Sequence, residues 1–231
     1  MSLKRPNDGA LVPVGPQQPH VKQARTELAI TTIPSRPRSS RLYSPIMLLQ
    51  GHESEVFCCK FQSDGEILAT AGFDRKIFLW NVYEQCLNWA VLTGHGGAIM
   101  EIQWSPDGSE LASCATDKLA FIWDIATCQR VKKLKGHKSF VNSVSYSRTG
   151  KEMLCTGSDD GTVKIWDRRK RGEVMTLECT YQVLTCCYSS TSEAVISGGI
   201  DNSIKIWDLR KQQVSQRLDG HLDANEGYPN P

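Results

Sequence analysis

The sequence predicts an all-β fold, a β-propeller with four recognisable four-stranded blades. Three observations carry this reading. Gly-His dipeptides recur at Gly51-His52, Gly94-His95, Gly136-His137 and Gly220-His221, with histidine spacings of 43, 42 and then 84 residues, two further periods of 42. Trp-Asn or Trp-Asp recurs at Trp80-Asn81, Trp123-Asp124, Trp166-Asp167 and Trp207-Asp208. Six residues before each Trp stands an Asp (Asp74, Asp117, Asp160, Asp201), and four before each Asp a hydroxyl residue (Thr70, Ser113, Thr156, Ser197). Self-similarity at about 40 to 45 residues is the period of a propeller blade.

Each period contains four strands in order. The first strands cover 56–61, 99–104, 141–146 and 183–188. Phe57, Cys59 and Phe61 alternate there, as do Met100, Ile102 and Trp104, Val144 and Tyr146, and Leu184, Cys186 and Tyr188; period-two alternation of apolar and aromatic residues marks strands. Turn chemistry follows at Ser63-Asp64-Gly65, Ser105-Pro106-Asp107-Gly108 and Arg148-Thr149-Gly150. Second strands lie at 67–71, 111–114, 153–157 and 194–198, and the Asp occupies the next tight turn. Third strands run into the Trp at 76–80, 119–123, 163–166 and 204–207. Fourth strands close the repeats at 89–92, 130–134, 174–177 and 214–218. Four strands per repeat make one blade.

The blades therefore occupy residues 45–222, with repeats at about 51–92, 94–134, 136–177 and 178–218 and the start of a fifth at 220. Pro45 to Leu49 reads as a fourth-type strand that precedes any blade, and 223–231 carries no strand pattern. Residues 1–44 are a different material. Seven of the ten prolines fall within residues 1–45, with Lys4, Arg5, Lys22, Arg25, Arg36, Arg38 and Arg41 against only Asp8 and Glu27. That balance of +5, set against +2 for the whole chain, leaves −3 for residues 46–231. A segment with so little apolar surface cannot offset its ordering entropy, so it reads as a disordered basic arm, suited either to nuclear import or weak RNA contact or, its basic residues being scattered, to a solubilising tail.

Composition excludes several classes. Apolar residues are 40% of the chain and charged residues 23%, close to a globular average. No apolar run approaches the roughly 20 residues needed to cross a bilayer, so no membrane association is expected. Charges at Lys4 and Arg5 are followed by no hydrophobic stretch of a secretory signal. Nine cysteines without an export signal point to a reducing compartment, and none forms a Cys-x-x-Cys pair. All histidines but His20 belong to Gly-His pairs, so no metal triad is expected, and no Gly-x-x-x-x-Gly-Lys-Ser/Thr phosphate loop occurs. Neither a cofactor nor a small-molecule substrate is expected.

Three sets of His, hydroxyl and Asp invite a hydrolase reading: His52/Thr70/Asp74, His95/Ser113/Asp117 and His137/Thr156/Asp160. An active site is assembled once, whereas a structural device repeats with the fold. The constellation resembles the WD40 repeat. The resemblance implies that each Trp N–H, hydroxyl, His and Asp (Trp80, Trp123 and Trp166 in the complete sets) forms a buried hydrogen-bond network. In the fourth repeat Ser197, Asp201 and Trp207 are present, but Glu178-Cys179-Thr180 replaces Gly-His; that network is expected to be incomplete and its blade softer. A seven-blade ring plus the arm implies roughly 340 residues, so the four blades form an incomplete ring.

The WD40 resemblance also implies a non-enzymatic role and a protein-binding top face. By position relative to Gly-His, its contact sites fall on Glu55, Phe57, Ala98, Met100, Phe140 and Asn142, with Phe73, Thr116 and Asp159 at the same rim. Against this, Phe57 and Met100 could equally belong to the core side of their strands. Segments such as Cys155-Thr-Gly-Ser-Asp-Asp-Gly-Thr-Val-Lys164 and Thr180-Tyr-Gln-Val-Leu184 are more particular than the repeat. They resemble spliceosomal members of the family, implying a nuclear scaffold subunit of the U5 small nuclear ribonucleoprotein that contacts its large scaffold subunit and other splicing proteins. Periodicity alone leaves open an adaptor that recruits substrates to a ubiquitin ligase or signalling complex. Cys58-Cys59 and Cys186-Cys187 read as packing residues. Arg168-Arg-Lys-Arg171 at a hairpin tip reads as a solvated charge run or an import or RNA contact.

Overall fold

The computed structural model describes residues 48–220 apart from 84, 85 and 151. The basic arm, residues 45–47 of the expected leading strand, His221 and the tail lie outside the described residues. Four antiparallel four-stranded sheets follow one another, each a meander in chain order. Blade 1 is β1 (Val56–Phe61), β2 (Ile67–Gly72), β3 (Lys76–Asn81) and β4 (Asn88–Thr93). Blade 2 is β5 (Ile99–Trp104), β6 (Glu110–Ala115), β7 (Leu119–Asp124) and β8 (Gln129–Lys135). Blade 3 is β9 (Val141–Tyr146), β10 (Met153–Ser158), β11 (Thr162–Asp167) and β12 (Glu173–Glu178). Blade 4 is β13 (Val183–Tyr188), β14 (Ala194–Gly199), β15 (Ser203–Asp208) and β16 (Gln213–Asp219). Every strand lies within two residues of its sequence expectation. The exception is the leading strand, whose described residues Leu48 and Leu49 pair with no sheet.

Each inner strand begins with a bulge, as between Val56 and Cys58, Ile99 and Glu101, or Val183 and Thr185. The extra residue breaks strict alternation. The buried face is therefore Ile99, Ile102 and Trp104 in blade 2 and Val183, Cys186 and Tyr188 in blade 4. This corrects the alternation read from the sequence, which put Met100 and Leu184 on that face. The bulge turns Phe57 and Leu184 outward instead, and both are exposed.

The core consists of three layers, each between consecutive blades. Ala69, Ala71, Ile77 and Leu79 of blade 1 pack on Ile99, Ile102 and Trp104 of blade 2. Ala112, Cys114, Ala120 and Ile122 pack on Val141, Val144 and Tyr146, and Cys155, Val163 and Ile165 on Val183, Cys186 and Tyr188. Polar ties cross the same seams. Trp104 Nε1 donates to the Lys60 carbonyl at 2.9 Å, Ser143 Oγ to Glu101 Oε2 at 2.7 Å, and the Cys186 N–H to Ser143 Oγ at 3.0 Å. Arg168 forms an ion pair with Glu110, whose side chain is almost wholly buried.

The ring is not closed, and the repeats themselves measure what is missing. Val56 is 48% exposed while its equivalent Val141 is 0%; Phe61 is 61% exposed while Tyr146 is 3%. Cys59, equivalent to buried Cys186, is likewise exposed. At the far side Ile196, Ile204 and Ile206 are half-exposed, although their counterparts in blades 1 to 3 are buried. A neighbouring blade covers these positions wherever one exists.

Candidate functional site

The repeated polar residues assemble into three complete networks. Trp80 Nε1 donates to Thr70 Oγ1 at 2.9 Å, Thr70 Oγ1 lies 2.8 Å from His52 Nε2, and His52 Nδ1 lies 2.7 Å from Asp74 Oδ2. Trp123, Ser113, His95 and Asp117 repeat this at 2.8, 2.8 and 3.0 Å. Trp166, Thr156, His137 and Asp160 repeat it at 2.8, 2.7 and 2.9 Å. One proton order satisfies every atom. The indole only donates and the carboxylate only accepts, so the hydroxyl accepts from Trp and donates to Nε2, and Nδ1–H donates to Asp. A neutral imidazole fits this order. Burial lowers the His137 pKa, against the opposing pull of the Asp160 carboxylate.

Each Asp also builds the turn that positions it. Oδ1 accepts the N–H two residues on, at 3.1 Å in Asp74 and Asp117 and 3.0 Å in Asp160, while the residue after each Asp has positive φ (Arg75, Lys118, Gly161). Oδ2 accepts the N–H following the histidine, from Glu53, Gly96 and Lys138. Burial raises the Asp160 pKa, but the hydrogen bonds from Thr162, Lys138 and His137 outweigh it and hold the carboxyl at about 2. The hydroxyls of Ser113 and Thr156 are inaccessible to solvent and fully committed. These sets lock strands together and have no hydroxyl free to attack a substrate.

Blade 4 departs from the pattern in a specific way. Trp207 Nε1 still donates to Ser197 Oγ at 2.9 Å. Cys179 stands four residues before Val183, as each histidine stands four before Val56, Ile99 and Val141, and its thiol interacts with Ser197. Without an imidazole, Asp201 Oδ2 is met by Lys205 Nζ at 2.7 Å. Lys164, its equivalent in blade 3, is instead held by Glu173 and Thr176. The smaller thiol leaves a void of about 10 Å³ lined by Cys179, Ser197, Ser203 and Lys205, into which the buried Ser203 hydroxyl places no hydrogen bond.

The residues of the expected top face share a backbone bond repeated within each blade. Phe73 N–H donates to the Glu55 carbonyl (2.8 Å), Thr116 to Ala98 (2.9 Å), Asp159 to Phe140 (3.0 Å), and Ile200 to Gln182 (3.2 Å). In blade 1 the approach is close enough that a Cβ on Gly72 would stand 1.9 Å from the Glu55 oxygen, so that position requires glycine. Phe57 and Phe73 are both exposed and meet edge to face at 6.3 Å. Phe140 is 48% exposed in a blade flanked on both sides. Met100 is half-buried against the second core layer. Asn142 is spent on Asp159 (2.6 Å) and the Val183 carbonyl (2.9 Å), tying blade 3 to blade 4. Glu55 is exposed; Ala98, Thr116 and Asp159 are intermediate. Tyr181, Leu184 and Ile200 extend the rim across blade 4 and are exposed. They escaped an alignment anchored on Gly-His, though the strand register at Val183 places them.

The family model for the WD domain, G-beta repeat, matches residues 43–81, 88–124, 128–167 and 172–208. The chain is 63% identical over 191 residues to the U5 small nuclear ribonucleoprotein 40 kDa protein of Mus musculus, covering 83% of this chain and 53% of that protein. It is 43% identical over 159 residues to the protein of that name from Dictyostelium discoideum, covering 69% and 45%. It is 38% identical over 186 residues to the pre-mRNA-splicing factor cwf17 of Schizosaccharomyces pombe, covering 80% and 55%. The chain spans about half the length of these relatives.

Proposed function

Because the chain belongs to the WD domain, G-beta repeat family, we propose that it acts as a nuclear, non-catalytic scaffold subunit of the U5 particle in pre-mRNA splicing. The observation that carries this reading is the 63% identity with a U5 40 kDa protein over 191 residues, 83% of this chain. The rim supplies a physical means. Exposed Phe57, Phe73 and Phe140 are the kind of aromatic side chain that anchors protein interfaces, and the particle's large scaffold subunit is the partner we assign to them. The hydroxyls, imidazoles and carboxylates that could suggest hydrolysis are absorbed in holding the blades.

Capture from nuclear extract tests the proposal, with the chain as bait and U5 RNA and splicing proteins as the readout. Enrichment of both is expected. Recovery of cullin-associated proteins in their place would favour the ubiquitin-ligase adaptor. A bait carrying Phe73→Ala and Phe140→Ala should keep its melting transition and lose the scaffold subunit. Lost stability with unchanged capture would remove the rim from the interface.

A further inference from the structure

We propose that β4, the outer strand of blade 1, is the edge through which two copies of this chain pair, antiparallel about a two-fold axis, into one continuous sheet. The basis is a contrast among repeats. Every blade ends in an outer strand that is paired on one side alone among the described residues. Free N–H and C=O groups along such an edge are a template for another strand, and proteins blunt them with charged side chains. The register aligns the four edges. Val91, Lys133, Thr176 and Arg217 stand opposite Phe78, Phe121, Lys164 and Lys205, one site of the repeat.

Three edges are blunted and one is not. At this site and the one two residues on, β8 carries Lys133 and Lys135, β12 ends in Glu178, and β16 carries Arg217 and Asp219, all of them exposed. The same two sites in β4 hold Val91 and Thr93, and β4 contains no charged residue. Trp89 continues the exposed row, and exposed Leu87 and Tyr83 lie in the hairpin before it. Apolar side chains gathered in this way on an exposed edge mark a contact surface. None of these residues belongs to the rim, so the two surfaces are separate.

The row is complementary to itself, which is what a two-fold contact demands. An axis through Val91 sets the valines of the two copies against one another, Trp89 against Thr93, and Ala90 against Leu92, with no charge in any pair. Aromatic and β-branched residues directly opposite one another stabilise antiparallel strands. The same operation about Lys133 sets lysine on lysine, and like charges directly opposite oppose pairing. A strand from an unrelated protein needs no such symmetry. The match of β4 to itself therefore assigns the edge to a second copy.

Sedimentation of the full chain over a concentration series tests the proposal, and the parent should reach twice the mass of one chain. Val91→Lys places a lysine from each copy on the axis and should weaken dimerisation about tenfold or more. Its melting should stay that of the parent, because the side chain is exposed. Val91→Thr, uncharged and β-branched, should dimerise as the parent does. Phe61→Lys, on the open first face, should remove larger species and leave the dimer. Amide exchange in β4 should slow as the concentration rises, as main-chain pairing requires. A parent that stays monomeric across the series overturns the proposal and leaves the edge to a strand of another protein. Equal association of parent and Val91→Lys overturns it, as does loss of the dimer in Phe61→Lys but not in Val91→Lys. So does exchange in β4 that is indifferent to concentration.

Discussion

The Lys205 ammonium lies 2.7 Å from the Asp201 carboxylate, and it does so because Cys179 occupies the position that holds histidine in the other three blades. In blade 3 the equivalent Lys164 is engaged by Glu173 and Thr176. In β16 those two positions are Val214 and Arg217, so Lys205 has no acceptor across the strand pair and turns to the carboxylate. A cation has taken over the role of an imidazole, which changes what the blade tolerates.

Restoring the histidine should therefore stabilise blade 4. Cys179→His fills the void beside Ser197 and Asp201 and adds two hydrogen bonds, worth about 1–2 kcal/mol together. In the parent chain Lys205→Met strands a largely buried carboxylate and should cost on the order of 3 kcal/mol. In the Cys179→His background the same change should cost much less, because the imidazole Nδ1–H then donates to Asp201 as it does to Asp160 in blade 3. Denaturant midpoints of the four proteins measure the coupling directly. Equal costs of Lys205→Met in both backgrounds would mean that the two groups do not share one role.

Acid should weaken the fold in two stages. The His137 pKa is lowered by burial, so the unfolded chain takes up that proton near the ordinary value of about 6.5 while the folded chain resists. Stability is then complete above about 6.5 and falls as the pH drops toward the folded value. Asp160 is held at about 2 against about 3.9 when unfolded, so its contribution is present above about 3.9 and is lost as the pH falls toward about 2. Chemical denaturation midpoints across this range should show both declines. His137→Gln should remove part of the upper one and Asp160→Asn part of the lower one; an unaltered profile in either variant would contradict the assignment.

The seam between blades 2 and 3 should depend on Arg168. Glu110 is buried and its one charged partner among the described residues is that guanidinium. Arg168→Met leaves an uncompensated buried carboxylate and should cost about 3–5 kcal/mol. Glu110→Gln combined with Arg168→Met should recover most of the loss. Thermal unfolding of the single and double variants checks this, and similar melting for both would argue against a functioning pair.

Periodicity made much of this fold readable, for a physical reason. A blade needs the same turn Asp, the same buried indole and the same hydroxyl at the same spacing, so Asp74 to Trp80 is a message repeated four times. What depended on a single residue was not readable. The bulge at Val56 gives no composition signal, and it decides whether Phe57 or Val56 faces the core. Lys205 looks like any strand lysine until Cys179 is seen in the histidine place. The sequence does not mark the rim residues Tyr181 and Ile200, because the Gly-His that signals their register is absent, although Val183 aligns with Val141. The basic hairpin was visible as a run of charge, but not that Arg168 and Arg169 are consumed by acids while Arg171 is left free.

One repeat position is open to solvent on the first blade face and covered further along the chain. Phe61 and Tyr188 occupy equivalent sites at the ends of β1 and β13, yet Phe61 is 61% exposed and Tyr188 4%. Tyr188 packs on Cys155 and Ile165 of the blade before it, whereas Phe61 has no such blade among the described residues. Burial of an aromatic side chain is worth about 1.5–3 kcal/mol, and forcing a charge into the buried site adds a desolvation cost. Tyr188→Lys should therefore unfold the chain or cost more than about 3 kcal/mol. Phe61→Lys should leave the melting transition within about 0.5 kcal/mol of the parent. It should also reduce binding of a hydrophobic dye and the chain's tendency to self-associate, since it breaks an apolar patch of Val56, Cys59 and Phe61. Dye fluorescence and light scattering of the 231-residue chain read both effects. Should Phe61→Lys prove as destructive as Tyr188→Lys, Phe61 is covered in solution and the first face is not open.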